Sequence, residues 1–134
     1  NRKAIIALHR YTRGSEKANT PITDYAGKLI QTNVVAKNPN VIAVLNGHYS
    51  GASMNVMGFD DDKDGVKERT VYEICTDYQS NAQGGAEYVK LLYFDLKNRF
   101  MLIHILHIRR ISIIMTILSW KITTREQLFI SRIL

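Results

Sequence analysis

The chain has 134 residues, 46% of them hydrophobic and 22% charged, which suits the core of one domain and excludes disordered or collagen-like classes. A lone cysteine, Cys75, excludes an internal disulfide framework and a thiolate metal site. The formal charge of +6 is confined to one end: residues 1–96 carry 11 Lys+Arg and 11 Asp+Glu, and residues 97–134 carry 7 Lys+Arg against one acid, Glu126. All eight glycines and both prolines precede residue 97, and ten isoleucines follow residue 98. Two regimes of composition therefore meet near residue 98. Asn1-Arg2-Lys3 leads directly into an apolar run with no initiator Met and no signal peptide in view, so the chain reads as an internal or processed piece.

In chain order, Lys3–Leu8 reads as a short buried strand that ends at the polar cluster His9 to Gly14. Ser15 to Pro21 is loop. Tyr25, Leu29, Ile30, Asn33 and Val34 fall near helical spacing and predict a helix over 22–37, stopped by Asn38-Pro39-Asn40. Val41–Leu45 is a second buried strand. Ala52–Phe59 and Arg69–Thr76 read as strands joined through an acidic turn, and Tyr88–Leu96 as another. A strand, helix, strand opening followed by antiparallel strands predicts an α/β architecture of mixed sheets. The apolar stretch Phe100 to Trp120 is interrupted by His104, His107, Arg109 and Arg110. One Arg at mid-bilayer costs roughly 2.5–3.5 kcal/mol, so no transmembrane segment is expected.

Two histidines follow the carboxyl ends of predicted buried strands: His9 after Ile5 to Leu8, and His48 after Val41 to Leu45. Ligands of open α/β sheets bind at that edge, and imidazole suits a divalent metal. A right-handed crossover through the helix would make the two strands parallel, so both rings would emerge on one edge. Two hydrogen-bonded rim histidines are the alternative. Asp60-x-Asp62-x-Asp64-Gly65 matches the opening of a calcium loop, but its twelfth position is Val71 instead of a bidentate Glu, which favours an acidic hairpin turn. Ser50 has no neighbouring base and is no nucleophile. Cys75 reads as an inert core thiol. Asp77, at the end of a strand, is suited to orient a histidine or to cap a turn.

The stretch Asn40 to Ala52 (N-V-I-A-V-L-N-G-H-Y-S-G-A), with Val71 to Ile74, Asp77-Tyr78-Gln79 and Gly84 to Asp95, resembles the C-terminal half of a calcineurin-like metallophosphoesterase of bacterial type over about residues 2–98. The resemblance implies residues 1–98 as the C-terminal portion of that domain, a partial sandwich of mixed sheets flanked by helices with its N-terminal half missing. It also implies two divalent metal ions (Mn, Fe, Zn or similar) and a phosphate-ester substrate. His9 matches the family's lone His and His48 the first His of its G-H-x-H block; in the family these hold one ion. The second His, a ligand of the other ion, is replaced by Ser50, a poorer donor for a transition metal. Asp77 would be an outer partner of the site. The D-x-H, G-D-x-x-D and G-N-H blocks are absent, so no catalytic residue is assigned and the chain alone is expected to be inactive. Relatives of this kind are often exported or attached to the cell surface.

Residues 99–134 form an atypical, Ile-rich basic tail where the family continues with polar sequence. Phe100 to Leu134, reread one nucleotide earlier with one permitted set of codons, regains a polar and apolar alternation, which points to a shifted frame. Taken at face value, the tail would instead be a basic segment for a membrane surface or nucleic acid. Leu102, Ile105, Ile108, Arg109 and Ser112 make no clean polar face, and no nucleic-acid partner is expected. A degenerate, non-catalytic binding or scaffold domain is the alternative to an enzyme, because Ser50 breaks the metal block.

Overall fold

A computed structural model of the chain describes residues 2–13, 22–107 and 110–119. It divides into two compact units, Asn1–Ser80 and Asn81–Leu134. The change of composition near residue 98 thus falls inside the second unit.

In the first unit, β1 (Ala4–Leu8), β2 (Thr12–Arg13), β3 (Ile22–Thr23), α1 (Tyr25–Ile30), β4 (Val41–Asn46), β5 (Gly51–Phe59) and β6 (Arg69–Asp77) follow in order. The main sheet has the order β1-β4-β6-β5. β1 and β6 both pair in parallel with β4, and β5 runs antiparallel to β6. β4 is central, and Val41, Ile42, Ala43 and Val44 are all buried, which explains its unbroken apolar run. β1 is an edge strand and alternates: Ala4, Ile6 and Leu8 pack against the core, while Ile5 and Ala7 are exposed. Tyr11, Val35, Val41, Val44 and Val71 form the core cluster beneath them.

Asp24 starts α1. Its side chain accepts the Gly27 N–H at 2.6 Å, the usual service of a helix N-cap. Gly27 lies against the backbone of Tyr11, where an added Cβ would sit 2.0 Å from the Tyr11 carbonyl oxygen. The helix is thereby held close to the segment that follows β1.

A fully buried carboxylate, Glu73 on β6, ties sheet and helix together. Its Oε1 accepts from the Tyr11 hydroxyl at 2.6 Å and from Gln31 Nε2 at 2.5 Å, and its Oε2 from Asn55 Nδ2 at 2.8 Å. Burial first, and then the Glu73 carboxylate, raise the pKa of the Tyr11 phenol and keep it a donor. At the far end of the sheet Arg69 pairs with Asp61 at 2.7 Å and stacks over Phe59.

The second unit has a single helical turn, α2 (Ala82–Gly85), then β7 (Tyr88–Asp95), β8 (Phe100–His107) and β9 (Arg110–Ser119), paired antiparallel in that order. Asp95 accepts from both the backbone and the side chain of Asn98 at 2.8 Å, which closes the β7–β8 turn.

The expected α/β sandwich, with mixed sheets flanked by helices, is not what the chain builds. Strands dominate the described residues and lie in three sheets, with one short helix and one helical turn. The helix expected over 22–37 loses its start to the β2–β3 pair, and after Ile30 it widens into a π-type turn over Gln31–Val35. Thr32, Val34 and Val35 are β-branched and give the α-helix weak support. Within the isoleucine-rich tail, Phe100–His107 and Arg110–Ser119 pair as strands for the same steric reason, and among the described residues no helical layer covers the sheets.

Two stability measurements test this packing. Gly27→Ala must push helix α1 off Tyr11, with an expected cost of about 3 kcal/mol. Glu73→Ala strands three buried or half-buried donors and is expected to cost about 2–4 kcal/mol. Urea unfolding midpoints of the two variants, compared with the parent chain, report both values. A shift within about 0.5 kcal/mol for either would contradict the role given to that residue.

Candidate metal centre

The ends of β1 and β4 are level, because Leu8 pairs with Asn46, whereas β6 meets Asn46 at Cys75 and runs on to Asp77. Beyond them the Gly47 N–H donates to the His9 carbonyl at 3.2 Å, so the chain after β4 stays beside the chain after β1. Residue 48 then adopts φ 70°, a left-handed conformation that is uncommon outside glycine and costs on the order of 1 kcal/mol or more. Next to it, His48 Nδ1 lies 2.9 Å from His9 Nε2, with ring centroids 4.7 Å apart and planes at 67°. Both side chains are exposed.

This spacing suits two kinds of contact. One neutral imidazole can donate its N–H to the other. Alternatively, both lone pairs can face a shared ion: two nitrogens about 2.1 Å from a metal lie about 3.0 Å apart at the right angle of an octahedral site and about 3.4 Å apart at a tetrahedral one. The residues present therefore fit two ligand positions of one divalent ion. Ser50 is exposed in the turn before β5 and offers a hydroxyl in place of an imidazole. Asp77 uses Oδ1 to accept the Gln79 N–H at 2.9 Å, capping the turn after β6. Among the described residues no carboxylate is hydrogen-bonded to either imidazole. Gly47 is not where the backbones crowd: an added Cβ there would be 3.5 Å or more from its neighbours, an ordinary contact.

Sequence reasoning passed over the residues that brace this edge. Asn46 is buried, and its amide receives the Thr12 N–H and hydroxyl at Oδ1 and donates to the Thr12 and Gly47 carbonyls from Nδ2. It clamps β2 to the end of β4. Asp24, also buried, accepts from Arg10 Nε at 2.6 Å and from the Tyr49 hydroxyl at 2.9 Å in addition to the helix N–H. Burial alone would raise the Asp24 pKa, but the Gly27 N–H, then Arg10 and Tyr49, outweigh it and hold the carboxyl below its ordinary range. Tyr49 in turn meets the edge of the His48 ring at 4.7 Å. The available signal was Asp24 just ahead of a helical periodicity, the position of an N-cap.

The acidic turn gathers a fourth carboxylate that the sequence reading did not include. One ligand oxygen each from Asp60, Asp62, Asp64 and Glu68 lies within 4.8 Å of the others. Gly65 N–H donates to Asp60, Val66 N–H to Asp64 and Asp61 N–H to Glu68, which orders the turn by itself. Val71 is buried in β6 and supplies no ligand.

Asp24→Ala removes the helix cap and the anchor of Arg10 and Tyr49, with an expected loss of about 2 kcal/mol at neutral pH. Because the folded pKa is depressed, this contribution is complete above the unfolded carboxyl range and is lost as pH falls through the folded value. The difference in urea midpoint between parent and variant should therefore shrink on acidification. A difference that grew as pH fell would show the sign to be wrong.

Over 98 residues, 73% of this chain, the sequence is 41% identical to the uncharacterized protein YvnB of Bacillus subtilis (strain 168). The chain spans 7% of the length of that relative. No protein-family description matches the chain, and no solved structure matches it.

Proposed function

We propose that this chain is part of a metal-dependent phosphoesterase in which His9 and His48 are two ligands of one divalent metal ion. The observation that carries the reading is the 2.9 Å separation of His9 Nε2 and His48 Nδ1 at the level ends of parallel strands. The left-handed backbone at His48 supports it, since strained residues concentrate at functional sites. The resemblance of the blocks around His9, His48 and Asp77 to metallophosphoesterases supplies the reaction class. A metal centre of that class would supply Lewis acidity toward phosphate oxygens. Within this chain the two imidazoles bind and orient, and Asn46 and Gly47 keep the strand ends that carry them together. The remaining ligands would belong to a longer protein, in keeping with the small share of YvnB that the chain spans.

A second reading, a non-catalytic binding domain, has Ser50 in its favour. Metal content of the longer protein separates the two: about two ions per site for the enzyme, one or none for the binding domain.

The direct test is calorimetric titration of the chain with Zn²⁺ and Mn²⁺. One site is expected, and His9→Ala or His48→Ala should each weaken it by more than the roughly tenfold that losing an outer partner costs. Equal affinity in both variants would overturn the assignment. No turnover of a generic phosphodiester is expected from the chain alone.

A further inference from the structure

Two guanidinium groups gather around one tyrosine at the rim of the imidazole pair. Arg10 is held through Nε by Asp24, and its side chain remains 45% exposed. Among the described residues its two terminal nitrogens have no hydrogen-bond partner. The Asp24 interaction also raises the Arg10 pKa, keeping it a cation. Arg13 places its guanidinium carbon 5.0 Å from the centroid of the Tyr49 ring, and Arg13 is exposed. Tyr49 therefore makes three contacts that matter here. Its hydroxyl shares Asp24 with Arg10, its ring carries Arg13, and the same ring meets His48.

Asp24 offsets one of the two positive charges, so Arg10, Arg13 and Asp24 together leave one net positive charge on this patch. That carboxylate is buried and already accepts from Gly27, Arg10 and Tyr49, so it is turned inward. What faces water is two cationic forks beside two imidazoles. Planar guanidinium donors match the oxygens of a tetrahedral oxyanion better than they match a simple halide.

We propose that Arg10 and Arg13, spaced by Tyr49, form a phosphate-binding subsite beside the His9–His48 pair. As the place where substrate phosphate oxygens are held, the subsite rests on the phosphoesterase reading; its affinity for the oxyanion does not require a metal. Asp24 is a positioning residue in this scheme, because it sets Arg10 and Tyr49 at once.

The test is a titration of the metal-free 134-residue chain with inorganic phosphate at fixed pH, followed by amide and arginine side-chain NMR. Chloride at matched ionic strength is the control. Phosphate should perturb Arg10, Arg13 and Tyr49 selectively. Arg13→Gln should weaken binding about tenfold, the scale of one charge-assisted hydrogen bond, with Arg13→Lys between the two. A parallel Zn²⁺ titration of the parent chain reports the metal reading separately. Zinc binding without phosphate binding would overturn the subsite and leave the metal site standing. Arginine-dependent phosphate binding without zinc binding would do the reverse. Equal responses to phosphate and chloride, or no change in Arg13→Gln, would also overturn the subsite. Arg13 is exposed, so the variant's fold, checked by its amide spectrum, is expected to persist.

Discussion

The first unit depends on the parallel pairing of β1 with β4. Parallel strands have no tight turn to set their register, so something else must stop them from sliding. Here the Asn46 side chain, buried where β4 ends, exchanges hydrogen bonds with Thr12 beyond the end of β1, and Gly47 holds the His9 carbonyl. A slip of one residue would unmake these bonds together and move Ile6 and Leu8 from the core face to water. Because His9 and His48 lie just past the clamp, the separation of their rings follows from it.

Glu73 gives the same sheet a second tie, made at its centre instead of its edge. A buried carboxylate served by three neutral donors is costly unless each donor arrives. Tyr11, Gln31 and Asn55 come from the post-β1 segment, the helical segment and β5, so their convergence fixes three elements on β6. The Asp24 cap then attaches the helix to Arg10 and Tyr49 at the rim. The segment His9–Arg13 takes part in both ties, through Tyr11 in the core and Arg10 at the rim.

The strands of the first unit were legible because burial leaves a plain signature. Val41–Leu45 is an unbroken apolar run, and β5 and β6 flank an unmistakable acidic turn, so their bounds fall within a residue or so of those observed. The positions of His9 and His48 at strand ends could be read for the same reason. The helix was overextended, since periodicity alone does not register the β-branched Thr32, Val34 and Val35, and a two-residue strand such as β3 has no period at all. Asp24, Asn46 and Glu73 were missed because a polar residue declares its partners only in three dimensions. Tyr11 and Glu73, for example, meet across 62 positions of sequence.

The left-handed backbone at His48 has a consequence for how this edge would respond to engineering. Glycine is the residue best suited to that conformation and would relieve its strain, yet it would remove one of the two imidazoles. Under the proposed metal reading, stability and metal binding therefore pull in opposite directions at position 48. A variant chosen only for its melting temperature would tend to erase the imidazole pair while leaving the strands around it intact.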